Sequence, residues 1–172
     1  ADLVDFTPFS GKMAAVDVVG FLNQVFSTFD RLADRFGAEK IKTIGDAYML
    51  AVGIPEPRAD HAEAAARMAL AMIGALETLR IETRAPIRLR VGLHTGPAIA
   101  GVIGERKFAY DIWGATVNIA SRMESHGTPD RIHISKALAR RLEGKFDLTA
   151  RGPIDVKGAG LMETYFLDGE RG

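Results

Sequence analysis

Glu39-Lys40-Ile41-Lys42-Thr43-Ile44-Gly45-Asp46-Ala47-Tyr48-Met49-Leu50-Ala51-Val52 is the stretch that decides the fold. Glu39 to Ile44 and Ala47 to Val52 each read as a strand, and Gly45-Asp46 between them is a tight-turn pair. A helical pattern lies on either side of this hairpin. Upstream, Val18, Phe21, Val25, Phe29, Leu32 and Phe36 recur at steps of three and four, which predicts an amphipathic helix from Lys12 to Phe36 with Gly37 placed to end it. Downstream, Ala65, Met68, Met72, Leu76 and Leu79 form the apolar stripe of a second helix, Arg58 to Arg80, with Asp60 as its N-cap. Both stripes are read as core.

Further along, Ile87 to Gly104 predicts two strands broken at Thr95-Gly96-Pro97, and Phe108 to Trp113 another short strand. Ala115 to His126 reads as a helix. Ser135 caps a short helix to Leu142, and Phe146 to Leu167 reads as strands punctuated by Gly152-Pro153, Gly158 and Gly160. The order of elements predicts an α+β fold: a ferredoxin-like, split βαβ (βαββαβ) sheet covered by helices on one face, with an appended C-terminal αβ region. Residues 1–172 are read as one domain. The first residues, Ala1-Asp2-Leu3-Val4-Asp5-Phe6, read as starting in mid-strand, so a longer parent protein is expected.

Composition narrows the function classes. The chain has 172 residues, 22 basic and 22 acidic, and no cysteine. Apolar residues make up 47% and charged residues 26%, ordinary globular usage. Zero net charge argues against a nucleic-acid coat held by bulk electrostatics, so no nucleic-acid partner is expected. Without cysteine there is no disulfide, thiolate nucleophile or thiolate zinc site. No apolar run approaches the ~20 residues that span a bilayer, so no membrane segment is expected in this stretch. A Walker A loop, a dinucleotide fingerprint, a His-Glu-x-x-His motif and a Gly-x-Ser-x-Gly elbow are all missing.

Several residues have the right chemistry for phosphate and metal. Asp2 on the first strand and Asp46 at the hairpin tip converge if those strands are neighbours, and paired carboxylates suit magnesium, a hard ion that takes oxygen ligands. Asn118 and Arg122 are four apart and share one helix face. Lys157 sits in Val-Lys-Gly-Ala-Gly, a loop that can approach a phosphate, and Arg90 lies in the strand Leu89-Arg90-Val91. Each also has a plain alternative: a turn, a solvated helix face, an exposed strand. His94 is read as a hydrogen-bonded structural histidine, since no acid or nucleophile stands beside it.

The strings taken together resemble the catalytic domain of class III nucleotide cyclases. They are Ala1-Asp2-Leu3-Val4-Asp5-Phe6-Thr7, Glu39 through Met49, Arg90-Val91-Gly92-Leu93-His94-Thr95-Gly96, Tyr110-Asp111-Ile112-Trp113-Gly114, Thr116-Val117-Asn118-Ile119-Ala120-Ser121-Arg122-Met123-Glu124 and Val156-Lys157-Gly158. They span nearly the whole chain in order. The resemblance implies an adenylyl cyclase that turns ATP into 3′,5′-cyclic AMP and pyrophosphate, working as a homodimer with two shared sites. It implies that Asp2 and Asp46 hold two Mg2+ or Mn2+ ions and that Arg90 of the same subunit contacts phosphate. The partner copy would supply Lys42 and Asp111 to the base, Asn118 to the ribose, and Arg122 and Lys157 to the phosphates. Lys42 can donate to adenine N1 and Asp111 can accept from its amine, whereas guanine reverses that pattern. The family's guanylyl members typically carry Glu and Cys at those two places.

Three positions depart from the family pattern: Asp5 for a usual Gly, Ala115 for a frequent Asp or Asn, and Ala159 for a frequent Lys. A carboxylate at Asp5 repels a triphosphate unless it is turned away or paired. Two alternatives follow, a weakly active cyclase-like domain that regulates by holding nucleotide, and a guanylyl cyclase. The expected location is cytoplasmic, with membrane attachment left to segments outside this stretch.

Overall fold

The computed structural model describes residues 1–104, 106 and 108–172. Its first strand, β1 (Asp2–Val4), is followed by a short helix α1 (Phe6–Ser10) and a long helix α2 (Ala15–Phe36). The hairpin β2 (Glu39–Ile44) and β3 (Ala47–Ala51) comes next, then helix α3 (His61–Thr83) and strand β4 (Arg88–Leu93). Strands β5 (Ile99–Ile103) and β6 (Ala109–Trp113) lead to helix α4 (Ala115–Ser125). Strand β7 (Ile132–Ser135), helix α5 (Lys136–Leu142) and the hairpin β8 (Phe146–Val156) and β9 (Gly160–Glu170) complete the chain.

Seven strands form one sheet in the order β2-β3-β1-β4-β7-β9-β8. The first four make the expected ferredoxin-like βαββαβ unit: β3 lies antiparallel between β2 and β1, and β4 is antiparallel to the far side of β1. β7 joins β4 in parallel and β9 inserts antiparallel between β7 and β8, so the C-terminal αβ region extends the same sheet. Among the described residues β5 and β6 pair only with each other, as a separate antiparallel ribbon.

The core lies between the sheet and α2, α3 and α5. Val25 and Phe29 of α2, Met68 and Met72 of α3, and Leu89 and Val91 of β4 are fully buried there. Each such side chain contributes roughly 1.5–3 kcal/mol through burial. Helices cover both faces of the sheet rather than one. The pleat that sends Leu89 and Val91 to the core turns Arg90 and Gly92 to the other face, where α4 packs. A second cluster of Met123, Ile154 and Val156 forms beneath α4.

Element ends differ from the sequence expectations for local reasons. The first long helix starts at Ala15, not Lys12, because the chain first makes α1 and folds it back, placing Phe6 and Phe9 against Phe21 with ring centroids 6.5 and 5.5 Å away. Gly37 ends α2 as expected, at φ 63°. The second helix runs His61–Thr83 instead of Arg58–Arg80. Asp60 stands at its N-cap, but Arg58 takes both carboxylate oxygens at 2.7 Å and no side-chain cap forms. Ser135 does cap α5, accepting from Leu138 N–H.

Candidate active site

Asp2 pairs across β1 with Ala47 on one side and Arg90 on the other. Asp46 occupies the β2–β3 turn, which Gly45 closes at φ 61°. Main-chain bonds fasten the two acids together: Leu3 N–H donates to Asp46 O at 3.4 Å, and Tyr48 N–H to Ala1 O at 2.7 Å. Asp2 and Asp46 thus stand on neighbouring segments joined through the main chain. Burial raises the Asp2 pKa above the ordinary carboxylate value; Glu124 and Asp46 push the same way and Arg90 opposes them. A half-buried carboxylate raised by two like charges suits a divalent cation, which removes that repulsion, and two carboxylates are what magnesium commonly takes from a protein.

Arg90 sits inside the same cluster. Its Nη2 donates to Asp2 at 3.1 Å and its Nε to Glu124 at 2.6 Å. Glu124, on α4, is a site residue that the sequence reading misses. Its only signal there is a carboxylate next to Met123, on the inward side of an amphipathic helix.

Lys42 and Asp111, 69 residues apart, form an ion pair between β2 and β6. The Lys42 ammonium, then the Ile112 N–H, hold the Asp111 carboxyl below its ordinary range. A bulge makes the pairing. Lys40 faces Leu50 and Lys42 faces Met49, so Ile41 is an extra residue in β2. In an unbroken strand Lys40 and Lys42 share a face. Here Lys40 goes to Asp30 of α2 at 2.9 Å while Lys42 goes to the ribbon.

Asn118 and Arg122 lie one turn apart on α4, both exposed, and Lys157 is exposed in the β8–β9 turn. Among the described residues neither Arg122 nor Lys157 makes a side-chain hydrogen bond or ion pair. One chain thus gathers Asp2, Asp46 and Arg90 in one cluster and Lys42 with Asp111 in a second, and it leaves Arg122 and Lys157 facing outward. A cavity of about 850 Å³ lies beside Ala1, lined by residues of β3 and β4. Lys42, Asn118 and Glu124 are in its wall, but Asp2 and Asp46 are not, and Met68 and Met72 of α3 also line it.

Two histidines are held by hydrogen bonds inside the fold. His94 Nδ1 lies 2.6 Å from Ser135 Oγ, and burial lowers the His94 pKa. His133 is fully buried, and its Nδ1 donates to Met123 O at 2.7 Å. Asp5 is paired with Arg88 at 2.9 Å, an arrangement the sequence pattern did not reveal.

Residues 1–169 match the family model described as the adenylate and guanylate cyclase catalytic domain. An adenylate cyclase of Mycobacterium tuberculosis is 46% identical over 171 residues, covering 99% of this chain and 39% of the relative. The guanylate cyclase soluble subunit beta-2 of Rattus norvegicus is 46% identical over 97% of this chain and 25% of its own length. Among solved structures, the guanylate cyclase domain of RhGC from Catenaria anguillulae, in complex with GTP, aligns with TM-score 0.94 at 38% identity, over 99% of this chain and 93% of that one. The adenylyl cyclase CyaB from P. aeruginosa also gives 0.94, at 28% identity, over 99% and 91%. The chain belongs to the adenylate and guanylate cyclase catalytic domain family. It spans well under half the length of these curated relatives. Among the described residues no helix is long and apolar enough to cross a membrane.

Proposed function

We propose that this chain is the catalytic domain of an adenylyl cyclase, forming 3′,5′-cyclic AMP and pyrophosphate from ATP at a site shared by two copies. The observation that carries the choice of ATP is the Lys42–Asp111 pair. An ammonium and a carboxylate side by side offer adenine a donor for N1 and an acceptor for its amine. Guanine presents the opposite pattern and leaves both groups unmatched, a mismatch that discriminates strongly.

In the proposed reaction the ribose 3′-oxygen attacks the α-phosphorus. The new O–P bond forms as the bond to the bridging oxygen breaks, and pyrophosphate leaves. The hydroxyl proton passes to water or to Asp2. Asp2 and Asp46 are the donors this chain offers to two Mg2+ or Mn2+ ions, which when bound acidify the hydroxyl and neutralise triphosphate charge. Asn118 orients the ribose. Arg90, Arg122 and Lys157 hold phosphate oxygens and stabilise charge that builds in the transition state. Arg122 and Lys157 are exposed, which fits residues that serve the site of a second copy.

A product assay with ATP and GTP, each with Mg2+ and Mn2+, tests this. Cyclic AMP from ATP, lost in Asp46→Ala, is expected. Dimeric protein that yields no cyclic AMP with either metal refutes the proposal, and tight ATP binding without product would assign the chain to nucleotide-holding regulation.

A further inference from the structure

Arg90 reaches into the carboxylate cluster and holds two of the acids by different edges. Nη2 engages Asp2 and Nε engages Glu124. All three side chains are largely withdrawn from water, at 26%, 22% and 21% exposure. The backbone builds this contact. Gly92 lets α4 lie so close to β4 that a Cβ there would stand 1.9 Å from Glu124 N, and a Cβ on Gly127 would stand 3.0 Å from Arg90 Cγ. A helix seated that tightly fixes where the Glu124 carboxylate points.

We propose that Arg90 is the resident counter-ion of Asp2, that a divalent cation displaces it, and that Glu124 is a positioning residue on which the displaced guanidinium pivots toward nucleotide phosphate. The inference rests on reading Asp2 and Asp46 as the metal site. A guanidinium can do this because its donors are spread over a rigid fork: it can release one partner and keep another. A divalent cation at Asp2 repels the guanidinium, so the two compete for one carboxylate. Glu124 keeps Nε in place, and the freed Nη edge then has only to rotate to meet an anion. The exchange also runs in reverse. A phosphate that draws Arg90 off Asp2 uncovers the carboxylate, so metal and nucleotide each promote the binding of the other by the same factor.

The test is Mn2+ binding to the whole chain without nucleotide, followed by the paramagnetic resonance of free Mn2+, in wild type, Arg90→Gln, Arg90→Lys and Asp46→Asn. Arg90→Gln is expected to bind Mn2+ about tenfold more tightly, because the competing charge is gone. Arg90→Lys keeps a charge but cannot span both acids, so a smaller gain is expected. The mutual enhancement between Mn2+ and a non-hydrolysable ATP analogue should be smaller in Arg90→Gln, and in Glu124→Gln as well, leaving only the part that comes from direct attraction between metal and triphosphate. A merely structural arginine would lower the melting temperature without tightening metal. If Asp46→Asn loses Mn2+ while neither Arg90 variant gains affinity, the exchange is overturned and the metal site stands. If Asp46→Asn binds Mn2+ as well as wild type, the metal site and the exchange both fall.

Discussion

Asp5 holds a backbone conformation that suits a residue without a Cβ, at φ 67° and ψ 11°. For an L side chain that conformation costs on the order of 1 kcal/mol, and the exposed Asp5–Arg88 pair returns at most about that much. Asp5→Gly is therefore expected to change unfolding free energy by less than about 1 kcal/mol in urea titration. Arg88 also answers the concern that Asp5 repels a triphosphate, since the carboxylate is not unpaired. Arg88→Ala should raise the nucleotide KM and leave kcat little changed, and Asp5→Gly/Arg88→Ala should reverse that rise. His133 makes a different prediction at the same scale. Burial lowers its pKa from 6.5, so below pH 6.5 the unfolded chain binds the proton that the folded chain refuses. Stability is then full above 6.5 and declines as pH falls from there toward the folded value. His133→Asn keeps a donor for Met123 O but does not titrate. Its melting temperature should fall less steeply than that of wild type between pH 6.5 and about 5.

At the scale of elements, the packing of α4 on β4 controls where Glu124, and through it Arg90, can stand. Gly92→Ala forces a methyl into the α4 backbone, where no flexible side chain can yield. A loss of roughly 3 kcal/mol or more is expected, measured by thermal unfolding, together with a raised nucleotide KM as Arg90 loses its anchor. Much of this layer could be read in the sequence. The stripes of α2 and α3, the Gly45-Asp46 turn and the Ser135 cap are local signals, and each stands close to where its pattern predicted. What could not be read depends on contacts between distant segments. Helix α1 exists because Phe6 and Phe9 find Phe21. The bulge at Ile41 lies in the pairing with β3, between Lys40 and Lys42, whose ammonium groups go to different acids. The covering of both sheet faces follows from Gly92, which in sequence is only one glycine in a strand. For the candidate site, Asp2, Asp46, Arg90, Lys42 and Asp111 came from ordered motifs. Glu124 stands in the same ordered strings, but nothing in them pairs it with Arg90, and the bulge left no mark at all.

At the scale of the whole molecule, one copy holds the carboxylate cluster while its Arg122 and Lys157 face away. The β5–β6 ribbon exposes Ile99, Val102 and Ile103, and Phe108, just before β6, is exposed at 78%. A shared site predicts complementation: Asp46→Ala and Arg122→Ala chains, each inactive alone, should recover activity when mixed, because one of the two sites in a mixed dimer is whole. Confirmed mixed dimers that stay inactive would overturn the sharing. The Lys42–Asp111 ion pair has a consequence at this scale. It bridges the main sheet and the ribbon, and neither group is used up by the other: after they meet, the ammonium still has donors and the carboxylate still has lone pairs to offer. On the proposed reading, adenine takes up that spare capacity without opening the pair. Guanine would set a donor against the ammonium and an acceptor against the carboxylate, and leave both unmatched. Because the pair also fastens sheet to ribbon, the contact that would read the base is the same one that holds the reader in shape.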